Sequence, residues 1–86
     1  MRLDNDEIEV ACDALWFVKS RAAADDAQER LWVRLQAVRT GDFGGSADAD
    51  LSPEDVEAIL RALRFCADNI ALDDDEQRLL LRLETR

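Results

Sequence analysis

Eighty-six residues, 48% apolar and 36% charged with one Pro and three Gly, hold enough apolar material to fold, which excludes collagen-like, mucin-like, prion-like and disordered chains. The net charge of −9 opposes binding to nucleic acid or an anionic membrane, both polyanions, and points to a basic partner or to plain solubility. A chain this short buries roughly 60–65% of its unfolded surface, so its core is thin and association with a second copy would help it.

The first predicted helix opens at "MRLDNDEIE", without a Ser-Pro start, so its first residues are expected to fray. Its apolar stripe is Ile8, Ala11, Cys12, Leu15, Val18 and Ala22, at spacings of three and four. Asp25 is the predicted cap of a second helix, with Leu31, Trp32, Leu35 and Val38 as its stripe. Gly41 stops that helix, and residues 40–52, "TGDFGGSADADLS", read as a flexible linker around the Gly44-Gly45 pair. "LSPED" is the clearest helix start in the chain: Ser52 as N-cap, Pro53 at the first helical position, acids in the first turn. Val56, Ile59, Leu60, Leu63, Cys66, Ala67 and Ile70 form the third stripe. "LDDDE" at 72–76 offers Asp73 or Asp74 as cap of a fourth helix, striped by Leu79, Leu80 and Leu83. No stretch alternates with period two, so β-structure is not expected.

The second half echoes the first. Displaced by 48 residues, "LDNDEIEVACDALWFVKSRAAADDAQERLWVRLQ" lies ungapped over "LSPEDVEAILRALRFCADNIALDDDEQRLLLRLE" with twelve identities, against about three or four expected by chance. Phe17/Phe65, Asp25/Asp73, Arg30/Arg78 and Arg34/Arg82 are among them. The expected fold is all-α: one domain over residues 1–86, with helical hairpins at 3–39 and 53–86 joined by the linker. A lone hairpin cannot bury its stripe, whereas two related ones bury theirs against each other about a pseudo-two-fold axis, as a four-helix bundle.

Chemistry-bearing motifs are scarce. The chain has no His and no Tyr, so the usual general base and the Cys-His and Ser-His-Asp arrangements are missing. The carboxylates gather at helix starts, where capping and dipole compensation account for them. A non-enzymatic protein is therefore expected, with no cofactor and no small-molecule substrate. No metal site is expected either: a di-iron bundle needs His. The calcium-loop pattern begun at Asp48 meets Pro53 where Gly is required and Ile59 where a bidentate Glu is required. No glycine-rich phosphate cradle is present. Cys12 and Cys66, outside any CxxC, read as buried thiols of a reducing cytoplasm. No signal peptide and no membrane span is legible. Arg30, Arg34, Arg78 and Arg82 fall at i and i+4 on the second helix of each hairpin and are expected to pair with acids on adjacent helices rather than to meet phosphates.

Some apolar residues remain once the core is assigned. On a helical wheel Val10 and Phe17 lie away from the main stripe, with Ala14 at its margin, and Ala58, Ala62 and Phe65 repeat the arrangement. Trp16 is off the stripe and has Arg64 as its counterpart, while Val33 and Leu81 face away from theirs. Trp16, Phe17, Val33, Phe65 and Leu81 are thus the candidate interaction residues, most simply of a homodimer, otherwise of a contact with another protein. The alternative is an acidic regulator that meets a basic protein surface in the manner of a nucleic-acid mimic. In its "LSPEDVEAILRALRFCADNI" hairpin and in its bias of thirteen Asp to seven Glu and ten Arg to one Lys, the chain resembles the small all-helical proteins of haloarchaea. That resemblance implies a salt-tolerant acidic surface and no particular activity.

Overall fold

Among the described residues, four helices begin where a short polar side chain takes up open N–H groups, and all four starts are built alike. The computed structural model describes residues 2–39 and 49–85; Gly41 and Gly44-Gly45 of the expected linker lie outside them. Helix α1 spans Asn5–Ser20, α2 Asp26–Arg39, α3 Pro53–Asn69 and α4 Asp74–Glu84. Ahead of α1, the Asp4 carboxylate accepts from the Glu7 N–H at 2.9 Å while the Glu7 carboxylate accepts from the Asp4 N–H at 3.1 Å. Asp25 with Gln28, Ser52 with Asp55 and Asp73 with Glu76 repeat this reciprocal box. Each such cap is worth about 1 kcal/mol. The expected fraying of α1 is therefore corrected: the Asp4-x-x-Glu7 box holds its first turn. Within both segments the spacing is constant, with α1 and α3 starting 48 positions apart at Asn5 and Pro53, and α2 and α4 likewise at Asp26 and Asp74.

The helix ends trim the expected stripes. The Ala22 N–H donates to the Lys19 carbonyl and the Ala23 N–H to the Val18 carbonyl, both at 3.0 Å. This is a Schellman closure with Ala22 at φ 56°, the left-handed position that favours glycine. Ala22 thus leaves the helix. α3 ends at Asn69, and Ile70 caps it in extended backbone, its N–H bonded to the Cys66 carbonyl at 2.7 Å. Ile70 and Ala67 are exposed rather than core residues.

Two short strands depart from the all-helical expectation: β1, Arg2–Leu3, and β2, Ala49–Asp50, pair antiparallel with Arg2 opposite Asp50 and Leu3 opposite Ala49. Leu3 and the adjoining Leu51 are both buried, and anchoring these two leucines brings the backbone before α1 beside the backbone before α3. Two residues a side are too few to show a period-two pattern in sequence.

One shared interior draws on all four helices. Ile8 and Leu15 of α1, Leu31 and Leu35 of α2, Ile59 and Leu63 of α3, and Leu79 and Leu83 of α4 are all completely or almost completely buried in a single cluster. Each such side chain contributes about 1.5–3 kcal/mol of transfer free energy. α1 and α3 have the most extensive contact; α2 and α4 each lie against both of them, on opposite sides. Ala14, Ala58 and Ala62, which the wheel puts at the margin or on the second stripe, are buried because α1 and α3 each face more than one neighbour. Ion pairs Arg34–Asp55 and Arg82–Glu7 tie α2 to α3 and α4 to α1.

Candidate functional site

The five candidate interaction residues are not gathered into one patch. Phe17 on α1 and Phe65 on α3 touch each other, with ring centroids 5.7 Å apart, and are half-buried against the core. Their contact joins α1 to α3. Trp16 stacks on Trp32 of α2 at 5.9 Å between centroids and stays 54% exposed. The Lys19 ammonium lies over the Trp32 ring at 5.5 Å, and the Trp32 indole N–H is buried without a hydrogen-bond partner. Val33 on α2 and Leu81 on α4 are 61% and 63% exposed, on opposite flanks of the α1–α3 pair.

Trp16 and Phe17 instead belong to a surface that was not legible helix by helix. A groove of about 610 Å³ follows α1 from Asp6 to Ser20, a length of about 21 Å at 1.5 Å per residue. Its other wall is the end of α3 with Ile70, then Asp73 and the first turn of α4. Val10, Trp16, Phe17 and Ile70 are its apolar surface. Asp6, Glu9, Asp13, Asp73, Asp75 and Glu76 border it, and none of its lining residues is Lys or Arg. Arg78, 3.7 Å from Asp75, and Arg21, over the Phe17 ring at 4.9 Å, stand at its margins.

No family model, curated protein or solved structure matches this chain.

Crowding of like charge is felt at the groove's inner end. Burial, with Asp73 and Asp13 adding repulsion, pushes the Glu76 carboxyl above its ordinary range, although the Asp73 N–H bonded to it works the other way. Burial and the nearby Glu76 push the Cys66 thiol up to about 11. Cys66, with its Sγ 3.9 Å from the Ala14 carbonyl oxygen, is a protonated, buried thiol at neutral pH and no nucleophile.

The positions 48 residues away are furnished differently. Where the groove has Asp13 near Asp73, α3 has Arg61, which binds Asp25 at 2.8 Å. Where it has Trp16, α3 has Arg64, paired with Glu84 at 3.6 Å. Where it has Glu76, α2 has Gln28, which is only 4% exposed and donates to the Ala58 carbonyl at 3.1 Å. Arg61, Arg64 and Gln28 thus stand where the groove side has Asp13, Trp16 and Glu76, while Asp6, Glu9 and Asp73 have the acidic counterparts Glu54, Glu57 and Asp25. The signal was present in the aligned halves, in the mismatched pairs Asp13/Arg61 and Trp16/Arg64. It becomes a site only when the start of α4 folds against α1.

The described residues contain no cluster of three or more potential metal ligands, and none of their helices is long and apolar enough to cross a membrane. The expected pairing with acids on adjacent helices is seen for Arg34 and Arg82; Arg78 instead pairs with Asp75 of its own helix, and the Arg30 Nε–H donates to the Asp26 carbonyl within its own helix.

Proposed function

We propose that the protein is a non-enzymatic interaction module that holds a basic protein surface in the groove along α1. One observation carries this reading: six carboxylates border an apolar surface from which Trp16 protrudes, and no cation lies among the lining residues. Such a surface repels polyanions and attracts cations, and the apolar part keeps part of its affinity when salt screens the charges. The two buried thiols fit a reducing cytoplasm, and the surplus of Asp over Glu fits a salt-rich one.

We further propose that the scaffold arose by copying one helical hairpin. Supporting this, Arg2 and Asp50, 48 positions apart, face each other in the strand pair, and Phe17 touches Phe65, again 48 apart. Contacts between a residue and its own counterpart belong on a two-fold axis. The ion pairs Arg34–Asp55 and Arg82–Glu7 likewise correspond, position for position. In this reading one copy kept its arginines at Arg61 and Arg64, and the other gave up that charge to form the groove.

Poly-lysine added at low salt is expected to shift the Trp16 indole resonance, and to do so less as salt rises; poly-glutamate should do nothing. A poly-lysine titration without effect on Trp16 would sink the reading. A second reading, self-association, draws on the exposure of Val33 and Leu81. Light scattering decides it: the single-chain mass of 9.7 kDa at low and high salt removes it, and a doubled mass abolished by Val33→Ser or Leu81→Ser upholds it.

A further inference from the structure

We infer that the occupant of the groove is one amphipathic helix of a partner protein, about four turns long, with an apolar stripe flanked on both sides by Lys or Arg. The inference rests on the preceding reading and deepens it. Length argues first: α1 offers Asp6, Val10, Asp13, Phe17 and Ser20 along one line, at the spacing of a single helix face. That is about 21 Å, the length of a helix of about 14 residues. An extended polycation would also reach the carboxylates, but it has no continuous apolar side to lay against Val10, Trp16, Phe17 and Ile70.

Charge argues second. The carboxylates stand on both walls of the groove, Asp6, Glu9 and Asp13 on α1 and Asp73, Glu76 and Asp75, the last beside Arg78, across from them. Carboxylates on two walls, interspersed with Val10, Trp16, Phe17 and Ile70, complement a helix that carries cations on both edges of an apolar stripe, laid helix-in-groove. A second copy of this chain is a poor occupant. It carries −9, and most of its described arginines are already engaged, Arg34, Arg61, Arg64, Arg78 and Arg82 all in ion pairs.

The asymmetry between the two sides argues third. Arg61 and Arg64 occupy on α3 the places of Asp13 and Trp16, so the corresponding face of the bundle carries two cations and no tryptophan there and is the less favourable one for a basic helix. A bundle already carrying arginine at the Arg61 position also supplies the test substitution, because Asp13→Arg introduces a side chain the fold accommodates at an equivalent place.

The probe is a synthetic 14-residue helix of Lys and Leu in amphipathic order, compared with a peptide of the same composition scrambled to break the order. Binding to the full chain is followed by calorimetry and by the Trp16 indole resonance. The amphipathic peptide is expected to bind at least tenfold more tightly than the scrambled one, and Asp13→Arg to weaken it at least tenfold. Asp13→Asn, isosteric and uncharged, should weaken it severalfold and covers the case in which Asp13→Arg fails to fold, as judged by circular dichroism. Equal binding of the two peptides overturns the helix while leaving the basic-partner reading intact. Absence of binding by either peptide overturns both. Binding that is unchanged in the variants, or that leaves Trp16 unmoved, places the peptide elsewhere and overturns the groove.

Discussion

Two residues hold conformations or charges at odds with their surroundings, and both are testable. Ala22 closes α1 at φ 56°, where a Cβ is crowded against the backbone and glycine is not. Ala22→Gly should raise stability by about 0.5–1 kcal/mol, the relief exceeding the added freedom of the unfolded chain. The check is a higher urea midpoint at unchanged slope. Glu76 is the second. Its pKa is raised in the folded state, by burial first and then by Asp73 and Asp13, so the folded protein holds a proton over a pH window in which the unfolded chain has lost it. Stability contributed by the neutral form is therefore present at low pH and lost as the pH rises through the raised value. Glu76→Gln removes that loss and keeps the box with Asp73, while adding a donor of the kind Gln28 directs at the Ala58 carbonyl. It should stabilise the protein by about 1 kcal/mol at neutral pH and flatten the pH profile just above the ordinary Glu range. A variant less stable than the parent at pH 7 would contradict this account of Glu76.

At the level of the elements, the helix starts and the core stripe were plain in the chain itself. Ser52-Pro53 and Asp25 and Asp73 are strong local signals, and the leucine and isoleucine spacing needs no tertiary context. Three features escaped for physical reasons. The Asp4-x-x-Glu7 box was legible but overshadowed by the missing Ser-Pro. The strand pair is too short to leave a period. The groove joins α1 to α4 across 60 residues and depends on which faces meet, which no single stripe encodes. The ion pairs between elements lie between these cases: their arginines were recognisable, their partners were not. Burial works against the Asp55 charge, yet the Arg34 guanidinium and the Ser52 groups outweigh it and hold the carboxyl below its ordinary range. That contribution is full above the unfolded carboxylate range and is lost as the pH falls through the lowered value. A double-mutant cycle on Arg34 and Asp55 should give a coupling of about 0.5–1 kcal/mol at low salt, shrinking at molar salt. No coupling at low salt would reduce the pair to an incidental contact.

For the whole molecule, a charge of −9 on 86 residues makes folding itself salt-sensitive. The Debye length falls from about 10 Å at 0.1 M to about 3 Å at 1 M, and the urea midpoint should rise over that range as self-repulsion is screened. A midpoint that falls would show that ion pairs, not repulsion, dominate. The core is common to both halves, but the outer surface is not, and the proposed function draws on that difference: one side has Arg61 and Arg64 in ion pairs, the other has Asp13 and Trp16 along the acidic groove. The most direct measurement is the stoichiometry and location of cationic-helix binding, by calorimetry together with amide shifts across the chain. One peptide per chain is predicted, with shifts concentrated between Asp6 and Ser20 and at the start of α4. Two equivalent sites, or shifts centred on Arg61 and Arg64, would contradict the account.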